Sequence, residues 1–403
     1  MSKTAAGSTR RLIELCAGYF AFYVMTGILA KLYTGMPGAP LYHRDITYLA
    51  NNTIGGSLFA LAVVFLFRWI RLHSNRTFRV GPFQVPSEVA YILPSGICTA
   101  IIIPTTTLMY TLPISVLVAM VIMRGSVIVI SRVVDALQIQ QGILKKRVYA
   151  EENWAVVFAL VAVATNILWT PSFINWGVDT LEHMGFGSLS HLRQTIVPGK
   201  GGFEFFHSAA AMTIMSLYIG AYSFRIYIMN FYKNTRGKGV PLDNKGFFAY
   251  EQIFACVTMA VIGAFFFLAP GLFRWGGAQF DEFHGALTHL QLLPVLSGIP
   301  FGAVAFFSVF LFMFPGRTAT FAGLVNRLTS LVAGTTATVL LAVFFKNKMP
   351  TTQEWLSLGF ILVAVYFLTR AEKRRVAEGI TVTPAGDPIP ATPGVAASRP
   401  AEA

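Results

Sequence analysis

Two arginines sit where arginine is expensive. Arg124 falls near the middle of one apolar run, Leu112–Val134, and Arg327 is similarly deep in another, Thr318–Phe345. A guanidinium at the centre of a bilayer costs about 2.5–3.5 kcal/mol even on lenient insertion scales, so each needs partners or a wet cavity. The planar fork of arginine donates two parallel hydrogen bonds to a carboxylate or phosphate. The two residues are therefore candidates to clamp an anionic group of a substrate. The competing role is structural: each would tie helices together through backbone carbonyls or a carboxylate, or snorkel to the interface. Asp135 lies below Arg124 on the same helix face, with Ser131 between them. Its position reads as interfacial, so the two are not paired here.

Glu251 stands inside a further apolar run, Phe247–Phe273, beside the bulky Tyr250 and Phe254. A carboxyl that desolvation makes easier to protonate is what proton-coupled transport requires, which makes Glu251 the proton-coupling candidate. An interfacial carboxylate in a salt bridge is the alternative. Asn51, Asn52, Asn166 and Asn326 also fall in apolar runs, where interhelical hydrogen bonding is the common role. Asn51 and Asn326 nevertheless join Tyr110 as candidate substrate contacts. Ser330, Gly334 and Thr338 recur every four residues beside Arg327 and form a small face suited to close helix packing.

Other chemistries find little support. A lipid-modifying enzyme would need His, Asp, Glu or Ser clustered near one interface, and no such cluster is visible, so no catalytic residue is assigned. Cys16, Cys98 and Cys256 lie in apolar runs without metal or disulfide spacing, and His207 near Glu204 completes no metal motif. No phosphate-cradling G-x-x-x-x-G-K-[ST] loop is present to drive transport by ATP. No cofactor and no metal are expected.

The elements that position these residues follow from composition. The 403 residues are 55% hydrophobic and 12% charged, with a mean hydropathy of +0.61. An ordinary soluble domain is roughly 25% charged, and a water-soluble fold could not hide this much apolar surface. Runs of spanning length occur at Leu12–Leu32, Thr47–Ile70, Val89–Tyr110, Leu112–Val134, Trp154–Ile174, Phe205–Met229, Phe247–Phe273, Leu293–Phe314, Thr318–Phe345 and Trp355–Leu368. Ten transmembrane helices are expected, with Pro104 kinking the third.

The net charge of +13 belongs to the loops. Basic residues cluster in the N-terminal arm and in alternate connections: Arg68 to Arg79, Lys145 to Arg147, Lys233 to Lys245, and Arg370 to Arg375. That alternation puts both termini in the cytoplasm. It also argues against a nucleic-acid partner, which needs one basic face. The expected organisation is a cytoplasmic arm (1–11), a first five-helix half (12–176), an external loop (177–204), a second five-helix half (205–370) and a cytoplasmic tail (371–403). The external loop is expected to be an ordinary ordered connection, with an interfacial course as the alternative. The tail's Pro, Ala and Thr cannot pack a core, so it should be largely disordered.

The halves are weakly alike. Arg124 in the fourth run precedes Trp154 at the start of the fifth by about thirty residues, and Arg327 precedes Trp355 in the same way, close to one helix plus a loop. Halves with an odd number of spans insert in opposite orientations, the layout many secondary transporters use for alternating access.

The stretch Tyr110-Thr111-Leu112-Pro113-Ile114-Ser115-Val116, then Met123-Arg124-Gly125-Ser126-Val127-Ile128-Val129 and Trp154, resembles the end of the first half in the drug/metabolite transporter superfamily. Thr318–Leu368 resembles the corresponding late part, and the nearest branch is that of nucleotide-sugar and related solute carriers. The resemblance implies export or exchange of a small organic metabolite through a central cavity lined by the fourth and ninth helices, which carry Arg124 and Arg327.

The expected protein is thus an all-α polytopic membrane protein of two inverted five-helix halves. It is expected to work as a secondary transporter of a small, anionic organic metabolite in a bacterial inner membrane. Its expected partners are that small molecule and the lipid bilayer, with homodimerisation left open. The alternatives are a membrane-embedded scaffold or assembly protein without transport and, further off, a lipid-modifying enzyme.

Overall fold

A computed structural model describes residues 9–35, 41–144, 148–168, 171–185, 207–237, 239–312, 314, 319–345 and 347–378. Most of the tail, and the loop residues 186–206, lie outside the described residues.

The apolar runs are helices. The first half contains α1 (Thr9–Thr34), α2 (Asp45–Leu66), α3 (Val89–Thr111), α4 (Val116–Gln140) and α5 (Ala150–Leu168). After α6 (Pro171–His183) come α7 (Ala209–Asn234), α8 (Asn244–Phe273), α9 (Ala278–Thr288), α10 (Leu292–Leu296), α11 (Gly298–Phe312), α12 (Ala319–Phe345) and α13 (Thr352–Ala377).

Eight helical stretches are long and apolar enough to cross a membrane: α1, α2, α3, α4, α8, the continuous Leu292–Phe312 segment, and much of α12 and α13. The chain is a multi-pass integral membrane protein. Its outer surface agrees with that, since Val257, Val261, Phe265, Leu268 and Leu272 of α8 are all exposed, and an apolar stripe of that size needs lipid around it. Helices also occupy the other two expected positions, α5 and α7, with Glu151 and Glu152 in the first turn of α5 and Arg225 and Lys233 in α7.

Two local features differ from the sequence expectation. The connection between α2 and α3 holds an antiparallel hairpin, β1 (Thr77–Val80) with β2 (Phe83–Pro86), so the chain is not purely helical. The turn is two residues long, and its Gly81 adopts φ +59°, which glycine enters without steric cost. The segment expected to be an ordinary external connection begins instead with α6, across the boundary drawn at residue 176. Pro171 opens that helix with a preset φ, and Ile174 and Val178, one turn apart, are buried while Trp176 and Leu181 are exposed.

The third and fourth runs, separated in sequence only by Thr111, are cleanly divided. α3 ends at Thr111, and Ser115 caps α4 by accepting from the Val118 amide at 3.1 Å. Buried Lys31 of α1 donates to the Leu112 carbonyl in that break at 2.7 Å.

Helix packing repeats between the halves. α1 packs on α12 and on α11, as α7 packs on α4 and on α3. α2 packs on α11 as α8 packs on α3, and α4 packs on α5 as α12 packs on α13. The pairs α4–α12, α5–α13 and α2–α8 then join equivalent helices across the halves. The small face of α12 seats α4: a Cβ on Gly334 would meet the Met120 side chain, and the Leu117 amide donates to Thr338 Oγ1 at 2.9 Å.

Candidate functional site

The chemistry-bearing residues converge between α1, α3, α4, α7 and α12. Heptad-like spacing puts Tyr19 and Tyr23 on one face of α1, and Tyr218, Tyr222 and Arg225 on one face of α7. Tyr19, Tyr23, Tyr110, Tyr218 and Tyr222 are all buried, as are Arg124 and Arg327.

Arg124 Nη2 donates to the Tyr23 hydroxyl, and its guanidinium lies 5.2 Å from the Tyr23 ring centroid, a cation–π arrangement. Its charge is felt by Tyr19, Tyr23, Tyr218 and Tyr222. Arg327 Nη2 donates to Ser131 Oγ, and this arginine lies within Coulombic reach of Tyr222, Asp135, Arg124 and Tyr218. The two arginines, one from each half, are therefore both within Coulombic reach of Tyr218 and Tyr222. None of the ion pairs between described residues involves either arginine. Each also keeps a buried Nε with no hydrogen-bond partner, a costly state for a charged donor.

The other sequence candidates divide. Asn326 is at the edge of this cluster, accepting from the Tyr19 hydroxyl at 3.3 Å and donating to Ser308 Oγ at 3.2 Å. Tyr110 is within it, near Tyr23 and Arg124, with its hydroxyl 3.4 Å from Met120 Sδ. Asn51 is elsewhere: its amide donates to the Thr47 carbonyl at 2.9 Å, and its Oδ1 accepts from the Gln291 amide at 2.9 Å. Those bonds tie α2 to the start of α10.

Glu251 is fully buried and held in a salt bridge. Arg225 grips it in a fork, Nε to Oε1 at 2.9 Å and Nη2 to Oε2 at 2.8 Å, and Ser95 Oγ adds a third bond to Oε1 at 2.6 Å. The contact is close because of Gly96, where a Cβ would meet Phe254 and the backbone of Glu251 and Ala255. Tyr222 lies within Coulombic reach of Arg225 as well as of both chamber arginines.

The repeat-related contact between α2 and α11 holds the same construction without charge. Asn52 of α2 donates to Ser297 Oγ at 3.2 Å and is bonded to the Tyr48 hydroxyl at 3.2 Å. Gly298 follows Ser297 as Gly96 follows Ser95, and a Cβ there would strike the Asn52 carbonyl and the Gly56 amide. Ser95-Gly96-Ile97 and Ser297-Gly298-Ile299 are separated by nearly the same distance in sequence as Arg124 from Arg327 and Trp154 from Trp355.

Beyond the α3–α8 end of the first contact, two loops are locked together. Buried Glu88 at the start of α3 accepts from Arg236 Nη1 at 2.7 Å, from the Asn75 amide at 2.6 Å, and from Ser87 and Ser74. Burial alone would raise the Glu88 carboxyl, but these bonds outweigh it and hold it below the usual range. Arg236 also donates to the His73 and Pro241 carbonyls, and His73 meets Asp243 Oδ2 at 3.0 Å.

No protein-family model matches the chain, and no curated protein matches it either. Among solved structures, one described only as "Crystal structure of protein" is 15% identical, covering 91% of this chain and 99% of its own, with a TM-score of 0.43. A likeness at that level carries no argument about fold or activity.

Arg225 is the functional-site residue that sequence reading passed over. It stood inside the apolar run Phe205–Met229, and an isolated charge there is itself a signal. Its pairing with Glu251, 26 positions away, follows only from α7 and α8 both packing on α3.

Proposed function

We propose that this protein is a secondary transporter of the drug/metabolite transporter type, moving a small organic anion by alternating access. The observation that carries the proposal is the buried arginine–tyrosine cluster, the chamber of this reading. Two buried arginines from different halves, neither in an ion pair with a described residue, lie within electrostatic reach of the same two tyrosines and each keep an unbonded Nε. Charge so placed is unfavourable unless a ligand or water meets it. The repeating helix pairs support two inverted halves of five spans each, with both termini in the cytoplasm.

The two Ser-Gly contacts are the gates in this reading. The pair at α3 and α8 closes the cytoplasmic side, and the pair at α2 and α11 closes the opposite side. The inner gate is held by Glu251 and Arg225, the outer by the neutral Asn52, Ser297 and Tyr48. Protonation of Glu251 would release Arg225 and loosen only the inner gate, which gives this carboxyl its coupling role. A bacterial inner membrane is the setting this type implies.

The test is uptake into proteoliposomes with a metabolite panel. Arg124→Ala and Arg327→Ala should abolish uptake of an anionic substrate while the purified variants still elute as folded protein. Uptake by the wild type of neutral or cationic compounds alone would sink the anion chamber.

A further inference from the structure

We infer that the hairpin between α2 and α3 is an interfacial anchor that docks on anionic phospholipid headgroups. The inference goes beyond the transport reading and stands without it. The strand register pairs Phe78 with Val85 and Val80 with Phe83, while Arg79 pairs with Gln84 and Thr77 with Pro86. Residues two apart in a strand share a face, so all four apolar positions lie on one side of the ribbon and the polar ones, with Pro86, on the other. Phe78 is 56% exposed. Among the described residues, neither strand packs extensively on a helix. A two-stranded ribbon is marginal in water and gains stability when its apolar face is covered.

Its position identifies the cover. The spanning part of α2 ends at Leu66 and that of α3 begins at Val89, so the hairpin hangs between two membrane crossings. Leu66, Phe67 and Ile70, all exposed beyond the buried part of α2, continue the lipid-facing surface toward it. Trp69, with Lys245 Nζ 5.6 Å from its ring centroid, marks the headgroup level where such amphipathic rings collect. The base of the ribbon is fixed. The Ser87 amide donates to the Arg76 carbonyl at 2.8 Å, Glu88 pairs with Arg236, and the Asn75 amide group donates to the Thr235 carbonyl at the end of α7 at 3.1 Å.

Charge names the headgroup. From Leu66 to Pro86 the chain carries Arg68, Arg71, Arg76 and Arg79, all exposed, and no Asp or Glu. With the orientation proposed above, these residues meet the cytoplasmic leaflet, whose surface is anionic. Arginine donates in a fork to phosphate oxygens, and basic side chains beside an apolar face characterise elements that lie in the headgroup region. Each arginine near such a surface strengthens binding about fivefold.

The experiment places a nitroxide on the full-length protein in nanodiscs, with Cys16, Cys98 and Cys256 replaced by alanine and one cysteine introduced by Phe78→Cys or Gln84→Cys. The discs hold phosphatidylcholine with increasing phosphatidylglycerol. Relaxation by oxygen reports contact with lipid, and relaxation by a water-soluble nickel chelate reports contact with water. As phosphatidylglycerol increases, the label at position 78 should lose nickel access and gain oxygen access, while the label at position 84 stays open to nickel. Arg68→Gln, Arg71→Gln and Arg79→Gln together should raise the phosphatidylglycerol fraction at half effect about fivefold or more. Arg68→Lys, Arg71→Lys and Arg79→Lys together should largely restore it.

Equal nickel access at both positions whatever the lipid overturns the inference. So does insertion at position 78 that ignores phosphatidylglycerol, since the arginines would then recognise no headgroup. Loss of access to both reagents at position 78, with dipolar coupling between labels in discs holding two copies, overturns it in favour of a second copy as the cover. Free glycerol phosphate added to phosphatidylcholine discs should change neither label. If it reproduces the effect of the lipid, the arginines bind a soluble phosphate and the docking surface is refuted.

Discussion

The inner ion pair offers a quantitative test. In Glu251→Gln the carboxylate becomes an amide of nearly the same shape, and Arg225, 8% exposed at its side chain, loses its counter-charge. Two bonds between opposite charges at 2.9 and 2.8 Å become at most one bond from the guanidinium to an uncharged amide oxygen, while Ser95 keeps an acceptor. Removing one member of a buried pair costs about 3–5 kcal/mol, chiefly because the survivor is buried unpaired, whereas replacing both members can be nearly neutral. The isosteric change should sit at the lower end, about 3 kcal/mol, and Arg225→Ala nearer 5. A double variant, Glu251→Gln with Arg225→Gln, should recover most of that loss. Each single substitution should lower the melting midpoint by several degrees, on the order of 5 °C, since a chain this long shifts by only a degree or two per kcal/mol. The assay is a double-mutant cycle of midpoints in detergent, with the same four proteins tested for uptake under an imposed pH gradient. If the double variant is as unstable as the two single losses added together, the pair is not coupled and the geometry has been misread. If Glu251→Gln transports unchanged under the gradient, the carboxyl is not the coupling group.

Three further outcomes follow from named contacts. Gly298→Ala forces a methyl into the Asn52 carbonyl and should cost about 1–3 kcal/mol by overpacking, while Gly359→Ala, with nothing within 4 Å of its Cβ, should not destabilise; melting midpoints compare them. Arg236→Ala removes the counter-charge of Glu88 and the bonds to the His73 and Pro241 carbonyls, so amide exchange across residues 72–88 should quicken while α12 stays protected. The folded-state pKa of Glu88 is depressed, so its contribution is present above the ordinary carboxyl pKa of about 4.3 and is lost as pH falls through the lower folded value. Protease sensitivity of the hairpin should therefore rise in acid below about pH 4, and Glu88→Gln should abolish that pH dependence.

Legibility in the sequence tracked the kind of force involved. Apolar length fixes where a helix can cross, because a bilayer satisfies no backbone donor or acceptor. The runs at α3, α4 and α8 were therefore readable to within a few residues, and the membrane class with them. Arg124 and Arg327 were readable as costly, since the penalty for a buried charge needs no partner to be known. The hairpin at Thr77–Pro86 and the helix α6 were not readable, because short polar elements carry weak periodicity.

What only the tertiary structure decided was partnership. The sequence left each buried charge open between a tie and a site, and only the fold shows their contacts: Glu251 is gripped by Arg225 and Ser95, while Arg124 and Arg327 bond the hydroxyls of Tyr23 and Ser131. Asn51 and Asn326 looked alike in sequence, yet one ties α2 to the start of α10 and the other borders the chamber. The physical reason is range. Hydropathy is a sum over neighbours in the chain, whereas a hydrogen bond joins Tyr19 to Asn326 across 307 positions, and only the packing of α1 on α12 brings them together.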